Sequence, residues 1–306
     1  MEEIELLKSK IKGALLLDEP MSSHTSYGIG GAAMAFLTPK DEDDLSETLK
    51  FAHTHNLPVF FMGSGSNLLV SDDGFEGFVI SLHKTFKTIT IDETHVYAET
   101  GTMLGKLVKE CMKNNLTGIE SMIGVPGTLG GAIKMNAGAY GKEISNSLTQ
   151  FSVMTLEGTK KTYKQGDITF DYRHSSIPDI EIILSAEFEF KKGNPEEIQV
   201  LRTKASQSRK TTQPLRFRSS GSVFKNPSKE LAAGYLIDQV GLKGTKKGGA
   251  EISTKHANFF INHGGATAGD ISWLIKRARS AVLEKFEIHL ELEVKTLGFR
   301  EGYFNA

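Results

Sequence analysis

Residues Gly118–Gly141 read GIESMIGVPGTLGGAIKMNAGAYG, and the reading of this stretch decides the reading of the whole chain. Seven glycines and Pro126 are interleaved with Ile119, Met122, Ile123, Val125, Leu129, Ile133 and Met135, with almost no charge. A surface loop is polar, so apolar side chains alternating with glycine place the backbone itself against something buried. Glycine also lets main-chain N–H groups approach a ligand closely and converge on it, which is how a chain cradles a pyrophosphate without spending side chains. Two readings follow from composition alone: a nucleotide cradle, or a set of tight turns in a compact core.

Two further glycine-rich patches extend the first reading. Tyr27-Gly28-Ile29-Gly30-Gly31-Ala32-Ala33 lies near the start, and Gly63-Ser64-Gly65-Ser66-Asn67-Leu68-Leu69-Val70 follows the apolar run Val59–Met62. Three patches suit an extended ligand. Neither the Rossmann fingerprint nor a Walker sequence is present: GIGGAA lacks the third spaced glycine, and no glycine-rich run ends in Gly-Lys-Ser/Thr.

Length and charge bound the function classes. A chain of 306 residues exceeds one ordinary core and predicts two or three domains. A net charge of -1 with interspersed signs argues against nucleic acid or a membrane surface as a bulk partner. The acidic start MEEIELLKSK is unlike a secretory leader, and no apolar run approaches a membrane span, so a cytoplasmic protein is expected. Cys111 is the only cysteine, which excludes an internal disulfide and a cysteine metal site, and the nine histidines lack ligand spacing. No metal and no obligatory protein partner are expected.

Periodicity supplies a coarse α+β order. Ile4, Leu7 and Ile11 predict a short amphipathic helix, and the acidic run Asp41–Asp44 opens a second one on Leu45, Leu49 and Ala52. Pro58–Met62 reads as a buried strand of a small βαβ unit, feeding the Gly63 turn at its C-terminal end. Strands are predicted at 78–82, 88–91, 96–98, 151–156, 162–163 and 182–190, with a helix on Leu104, Leu107, Val108 and Cys111. Asn194-Pro195 starts a helix with Ile198, Leu201 and Ala205 inward. Six basic residues and no acid then span Arg202–Arg218, either a solvated face and linker or a source of positive potential for an anionic ligand. The remainder predicts a helix at 231–240, a flexible loop at 243–249, a strand at 258–261, a long helix at 270–286 with Trp273, Ile275, Ala278 and Val282 as core, and a strand at 290–297.

Long, ordered blocks carry a family resemblance from about Thr25 to Gly298. GSGSNLLV, GVPGTLGGAIKMNAGAYG, Tyr172-Arg173-His174-Ser175, SSGSVFKNP (Ser219–Pro227), GGAEISTKHANFFIN (Gly248–Asn262) and LELEV (Leu290–Val294) together resemble the UDP-N-acetylenolpyruvoylglucosamine reductases. The resemblance implies a two-subdomain FAD-binding fold of the vanillyl-alcohol oxidase/PCMH type at 1–82 and 83–205, and a C-terminal α+β substrate-binding domain at 206–306. It implies hydride transfer from NADPH through FAD to the enolpyruvyl group of a UDP-sugar. Arg173, Ser222 and Glu293 match the catalytic positions; Tyr172, Lys225 and Asn226 match substrate contacts. Gly63, Ser64, Gly65, Ser66, Asn67, Gly124, Gly127, Thr128, Gly130, Gly131, Ala132, Asn136 and Gly138 are the expected FAD contacts. The Gly63–Asn67 loop lacks the histidine to which related flavoproteins attach FAD, so noncovalent FAD is expected. The short segment between Arg173 and Ser222 resembles the family's shorter, type II form.

Two other functions compete with this one. One keeps the flavin fold but oxidises alcohols or sugars with O₂; the other is a nucleotide-binding module without turnover. The serine block and the closing glutamate argue against the oxidase, and bleaching then recovery of flavin colour with NADPH and the UDP-sugar separates all three.

Overall fold

The computed structural model describes residues 2–304. The described chain folds into two compact units, one formed by 2–17, 35–64 and 77–208, the other by 18–34, 65–76 and 209–304.

The first unit holds helices α1 (Glu2–Lys10), α2 (Glu42–Thr54), α3 (Leu104–Lys113), α4 (Leu129–Lys134) and most of α5 (Pro195–Thr212). Its five-stranded antiparallel sheet runs in the order 160–164, 148–155, 181–189, 95–99, 89–92. Every apolar position predicted to face inward on α3 does so, because Leu104, Leu107, Val108 and Cys111 fall on one stripe packed against that sheet. A four-stranded sheet has the order Ala14–Pro20, Ala32–Thr38, Phe75–Ser81, Val59–Met62, with Val59–Met62 parallel to its neighbour. The expected βαβ unit is modified: Phe75–Ser81 lies between the two strands that flank α2, the parallel pair is joined by 63–74 without a helix, and Val59, Phe60 and Phe61 are only half-buried while Met62 is inside. The acidic run before α2 is more than a dipole complement. Asp41 caps Asp44 N, while the buried Asp44 carboxylate accepts the backbone N–H groups of Lys12, Gly13 and Lys40.

The second unit holds the end of α5, with α6 (Ala233–Gln239) and α7 (Ala268–Phe286) packed on a three-stranded antiparallel sheet, 246–247, 250–252, 260–262. Lys295–Leu297 pairs in parallel with Leu68–Val70. At the start of α7, Thr267 and Asp270 form a capping box, and the Asp72 carboxylate accepts from Ala268 N at 2.8 Å and Gly269 N at 2.9 Å.

Four expectations are corrected. Leu201 is 47% exposed because Ile198 and Ala205, seven residues apart, already fill the narrow buried stripe of α5. Trp273 is 42% exposed: it lies well around the helix from Ile271, Leu274, Ile275 and Ala278, and it carries the Lys247 ammonium 5.6 Å from its ring. The segment 243–249 is no open loop, since Lys246–Lys247 pairs with Ala250–Glu251. The last strand is confined to Lys295–Leu297, the preceding residues pairing with 223–225 through an isolated bridge between Leu292 and Phe224 and its flanking hydrogen bonds. Among the described residues no helix is long and apolar enough to cross a membrane.

Candidate active site

In the first unit the glycine-rich stretch resolves into a 3-10 turn at Glu120–Met122, a turn and bend through 123–127, α4, and a two-residue hairpin joining Gly138–Ala139 to Lys142–Glu143. The hairpin turn, Tyr140 at φ 53 and Gly141 at φ 76, has both central residues in the left-handed region that a tight β-turn of this kind requires. Space around each glycine separates those the protein needs from those it does not. A Cβ on Gly63 would meet Thr128 Oγ1 at 2.4 Å, and one on Gly130 would meet Thr100 Cβ at 3.0 Å. Gly63 and Thr128, placed in two different cofactor segments by the sequence, are therefore neighbours. A Cβ on Gly131 would meet only Thr128 Oγ1, at 3.8 Å.

The amides in this stretch are less free than a phosphate cradle asks. Leu129 N donates to Thr102 O at 2.8 Å and Gly130 N to Thr100 O at 3.0 Å. Thr102 Oγ1, by contrast, is buried without a protein partner, a polar atom left for a ligand or water. The open flank of Gly131 and this orphaned hydroxyl fit a bound cofactor along α4.

Asn136 is fully buried at φ 42, and its Nδ2 donates to Glu143 Oε2 at 2.9 Å and to Asp171 O at 3.1 Å, so its side chain serves as an internal tie. That tie reaches the YRHS hairpin, in which Phe170–Asp171 pairs with His174–Ser175. Arg173 occupies the turn at φ 55, donates to Gly138 O at 3.2 Å and lies 5.0 Å from the Tyr172 ring. Ser175 Oγ adds a bond to Lys134 O at 2.7 Å. Arg173 is thus held by the glycine-rich stretch itself, and Tyr172, 44% exposed, stands beside it.

The second unit gathers the other predicted residues. Asn67 Nδ2 donates to Glu293 O at 3.0 Å and Asn67 O accepts from Lys295 N at 3.1 Å. Glu293 N in turn donates to Val223 O at 2.8 Å, and Ser220 Oγ to Leu68 O at 3.1 Å. The GSGSN loop, the Ser222 segment and the Glu293 segment are therefore laced side by side. Lys225 and Asn226 are less available than expected. Lys225 Nζ is paired with Glu291 at 2.6 Å, and Asn226 Oδ1 accepts from Ala233 N at 3.1 Å, capping α6 from seven residues upstream. One residue the sequence reading passed over, Asn258, is buried and bonded to both sides of Phe224. Its sequence signal is an amide between Ala257 and Phe259 at the head of the apolar run in HANFFIN. Next to it, burial holds the His256 imidazole below its ordinary pKa, with the Lys243 charge adding to the effect.

A family model for an FAD binding domain matches residues 19–163, which makes this a flavoprotein fold joined to a separate C-terminal part. A second model, the C-terminal domain of UDP-N-acetylenolpyruvoylglucosamine reductase, matches residues 213–297. The chain is 39% identical to the UDP-N-acetylenolpyruvoylglucosamine reductase of Syntrophus aciditrophicus, covering 96% of this chain and 95% of that one. It is 41% identical to that of Clostridioides difficile, covering 96% and 97%. The crystal structure of the reductase from Thermus caldophilus superposes with a TM-score of 0.79 at 34% identity, covering 94% of this chain and 99% of that one. The chain belongs to the UDP-N-acetylenolpyruvoylglucosamine reductase family.

Proposed function

We propose that this protein reduces UDP-N-acetylglucosamine enolpyruvate to UDP-N-acetylmuramate with NADPH, in the cytoplasm, as a step of peptidoglycan precursor synthesis. Bound FAD, held noncovalently, would supply hydride to the terminal vinyl carbon of the substrate. Residues 1–82 and 83–205 would carry FAD and 206–306 the UDP-sugar. Gly63–Asn67 and the stretch from Gly124 to Gly138 would hold FAD, with Gly131 leaving space and Thr102 Oγ1 offering a hydrogen bond.

The residues of this chain answer the charge and the proton. Hydride arrival pushes an electron pair through the neighbouring carbon into the substrate carboxylate, and the growing negative charge needs a fixed cation. Arg173 would supply it, its guanidinium held by Gly138 O and its turn by Asn136. A proton must then reach the adjacent carbon, and Ser222 Oγ would donate it. Serine is a weak acid, so Glu293, whose backbone is bonded to the residue after Ser222, would support the relay. Lys225 would meet the diphosphate by exchanging Glu291 for a phosphate oxygen.

The observation that supports this reading is the lacing of Asn67, Glu293 and Val223, which leaves Ser222 and Glu293 on adjacent, hydrogen-bonded segments. Its test is Ser222→Ala. FAD content and reduction by NADPH should stay near the parent, while reoxidation of the reduced enzyme by the UDP-enolpyruvyl sugar should slow by roughly 10²- to 10⁴-fold, as for loss of a positioned acid. Reoxidation within a few-fold of the parent removes Ser222 as donor.

A further inference from the structure

We infer that Asn258 is a positioning residue for the proton-donating step, acting as a side-chain copy of a β-strand that fixes the register of Ser222 against Glu293. The inference rests on the reaction proposed above. Phe224 N donates to Asn258 Oδ1 at 2.9 Å and Asn258 Nδ2 donates to Phe224 O at 2.8 Å. One primary amide thus satisfies both backbone groups of one residue, as a neighbouring strand would. The Asn258 carbonyl also accepts from Val223 N at 2.8 Å, and Ser222 bridges Phe259. From the other side Glu293 N donates to Val223 O at 2.8 Å, and Phe224 bridges Leu292.

The three residues 222–224 are therefore pinned on both edges. Gly221, just before them, is at φ 76 and a Cβ there would meet nothing within 4 Å, so on the upstream side the nearest tie is the buried Ser220, whose Oγ donates to Leu68 O at 3.1 Å. The clamp is buried, with Asn258 2% and Phe224 0% exposed. An amide in that setting leaves two backbone groups unpaired when removed, and the segment bearing Ser222 keeps on that edge the backbone contacts to Asn258 O and Phe259 alone.

The test compares Asn258→Ala and Asn258→Asp with the parent as FAD-loaded full-length protein. Stopped-flow absorbance follows flavin reduction by NADPH and reoxidation by the UDP-enolpyruvyl sugar, and hydrogen exchange is read by mass spectrometry on peptides covering 219–226. For Asn258→Ala we expect reduction within twofold of the parent, reoxidation slowed on the order of tenfold to a hundredfold by misplacement of the donor, substrate affinity within threefold, and faster exchange at 219–226. Asn258→Asp carries the sharper signature. A neutral carboxylic acid accepts from Phe224 N and donates to Phe224 O as the amide does, whereas the carboxylate only accepts. Its reoxidation rate, divided by that of the parent at the same pH to cancel titration of His256, Lys225, Glu291 and Glu293, should rise as pH falls. Reoxidation at the parental rate in Asn258→Ala overturns the inference, as does equal loss in both half-reactions or a flat pH ratio in Asn258→Asp. If the parent itself is not reoxidised by the sugar, the proposed reaction fails and the catalytic role of Asn258 fails with it. In that case unchanged exchange at 219–226 would also discard the clamp, and faster exchange would leave it as architecture only.

Discussion

Gly130 and Gly131 are adjacent in α4, yet the structure predicts opposite outcomes when each becomes alanine. Both are helical, so alanine gains up to about 1 kcal/mol in propensity at either position. At Gly131 nothing opposes that gain, since the new Cβ meets only Thr128 Oγ1 at 3.8 Å. FAD-free Gly131→Ala should therefore melt at or up to about 2 °C above the parent. At Gly130 the Cβ lies 3.0 Å from Cβ of Thr100, whose carbonyl already accepts from Gly130 N, so the turn at Thr100 and the helix must part. Overpacking of this kind costs about 1–3 kcal/mol and outweighs the propensity gain, so Gly130→Ala should melt lower. If α4 lines the cofactor, the same overpacking at Gly131 falls on FAD, weakening its Kd by a factor of about 5 to 150. Flavin-fluorescence titration of the apoproteins, beside thermal unfolding without FAD, reads both quantities. Parental FAD affinity in Gly131→Ala would refute the cradle assignment at this end of the stretch. Valine at Gly130 or at Gly65, where the Cβ would meet His24 O at 2.1 Å, discriminates nothing, because the protein itself forbids it.

Three further outcomes follow from particular contacts. Arg173→Lys keeps a cation but loses the planar fork bonded to Gly138 O, so in stopped-flow it should slow reoxidation by substrate at least tenfold more than reduction by NADPH; equal losses would make Arg173 a structural residue. Asp72→Ala removes the acceptor of two amides at the head of α7 and should cost about 1–2 kcal/mol in urea unfolding, with FAD stoichiometry kept; an unchanged midpoint would show the cap to be idle. The Cys111 thiol is buried and pushed up to about 12, so it stays protonated through the neutral range, and an aromatic disulfide reagent at pH 8 should label it only after denaturant is added.

Periodicity located elements well where a full stripe repeats, as on α3, and failed where only a phase angle was available. Trp273 and Leu201 are apolar and near a buried stripe, but the number of stripe positions a helix buries depends on what packs against it, which is a tertiary fact. The same limit applied to the site. Block by block, the residue types of the candidate site were visible, and in the structure Asn67, Ser222 and Glu293 lie on neighbouring segments. Partner choice was not visible. An asparagine offers two donors and an acceptor anywhere, and only the fold shows that Asn136 spends them on Glu143 and Asp171, Asn226 on the head of α6, and Asn258 on Phe224.

The two readings open for Gly118–Gly141, cradle or compact turns, prove to be divided among its residues. Gly130 and Gly138 lie against protein, while Gly131 faces open space a few ångströms away on the same helix. The side chain and carbonyl bonds then couple the two jobs, since Asn136 reaches Asp171 and Gly138 receives Arg173, so the stretch expected to hold the cofactor also orients the expected carboxylate-binding cation. The second unit repeats the device with different parts: Asn67 ends the second cofactor loop and fixes the Glu293 carbonyl. In each unit one buried or half-buried amide side chain thus ties a segment expected to hold the cofactor to the neighbourhood of an expected catalytic position, Asn136 to the turn that carries Arg173 and Asn67 to the backbone of Glu293. A hydrogen bond of narrow length range tolerates little slack, so each tie limits how far its two segments drift apart.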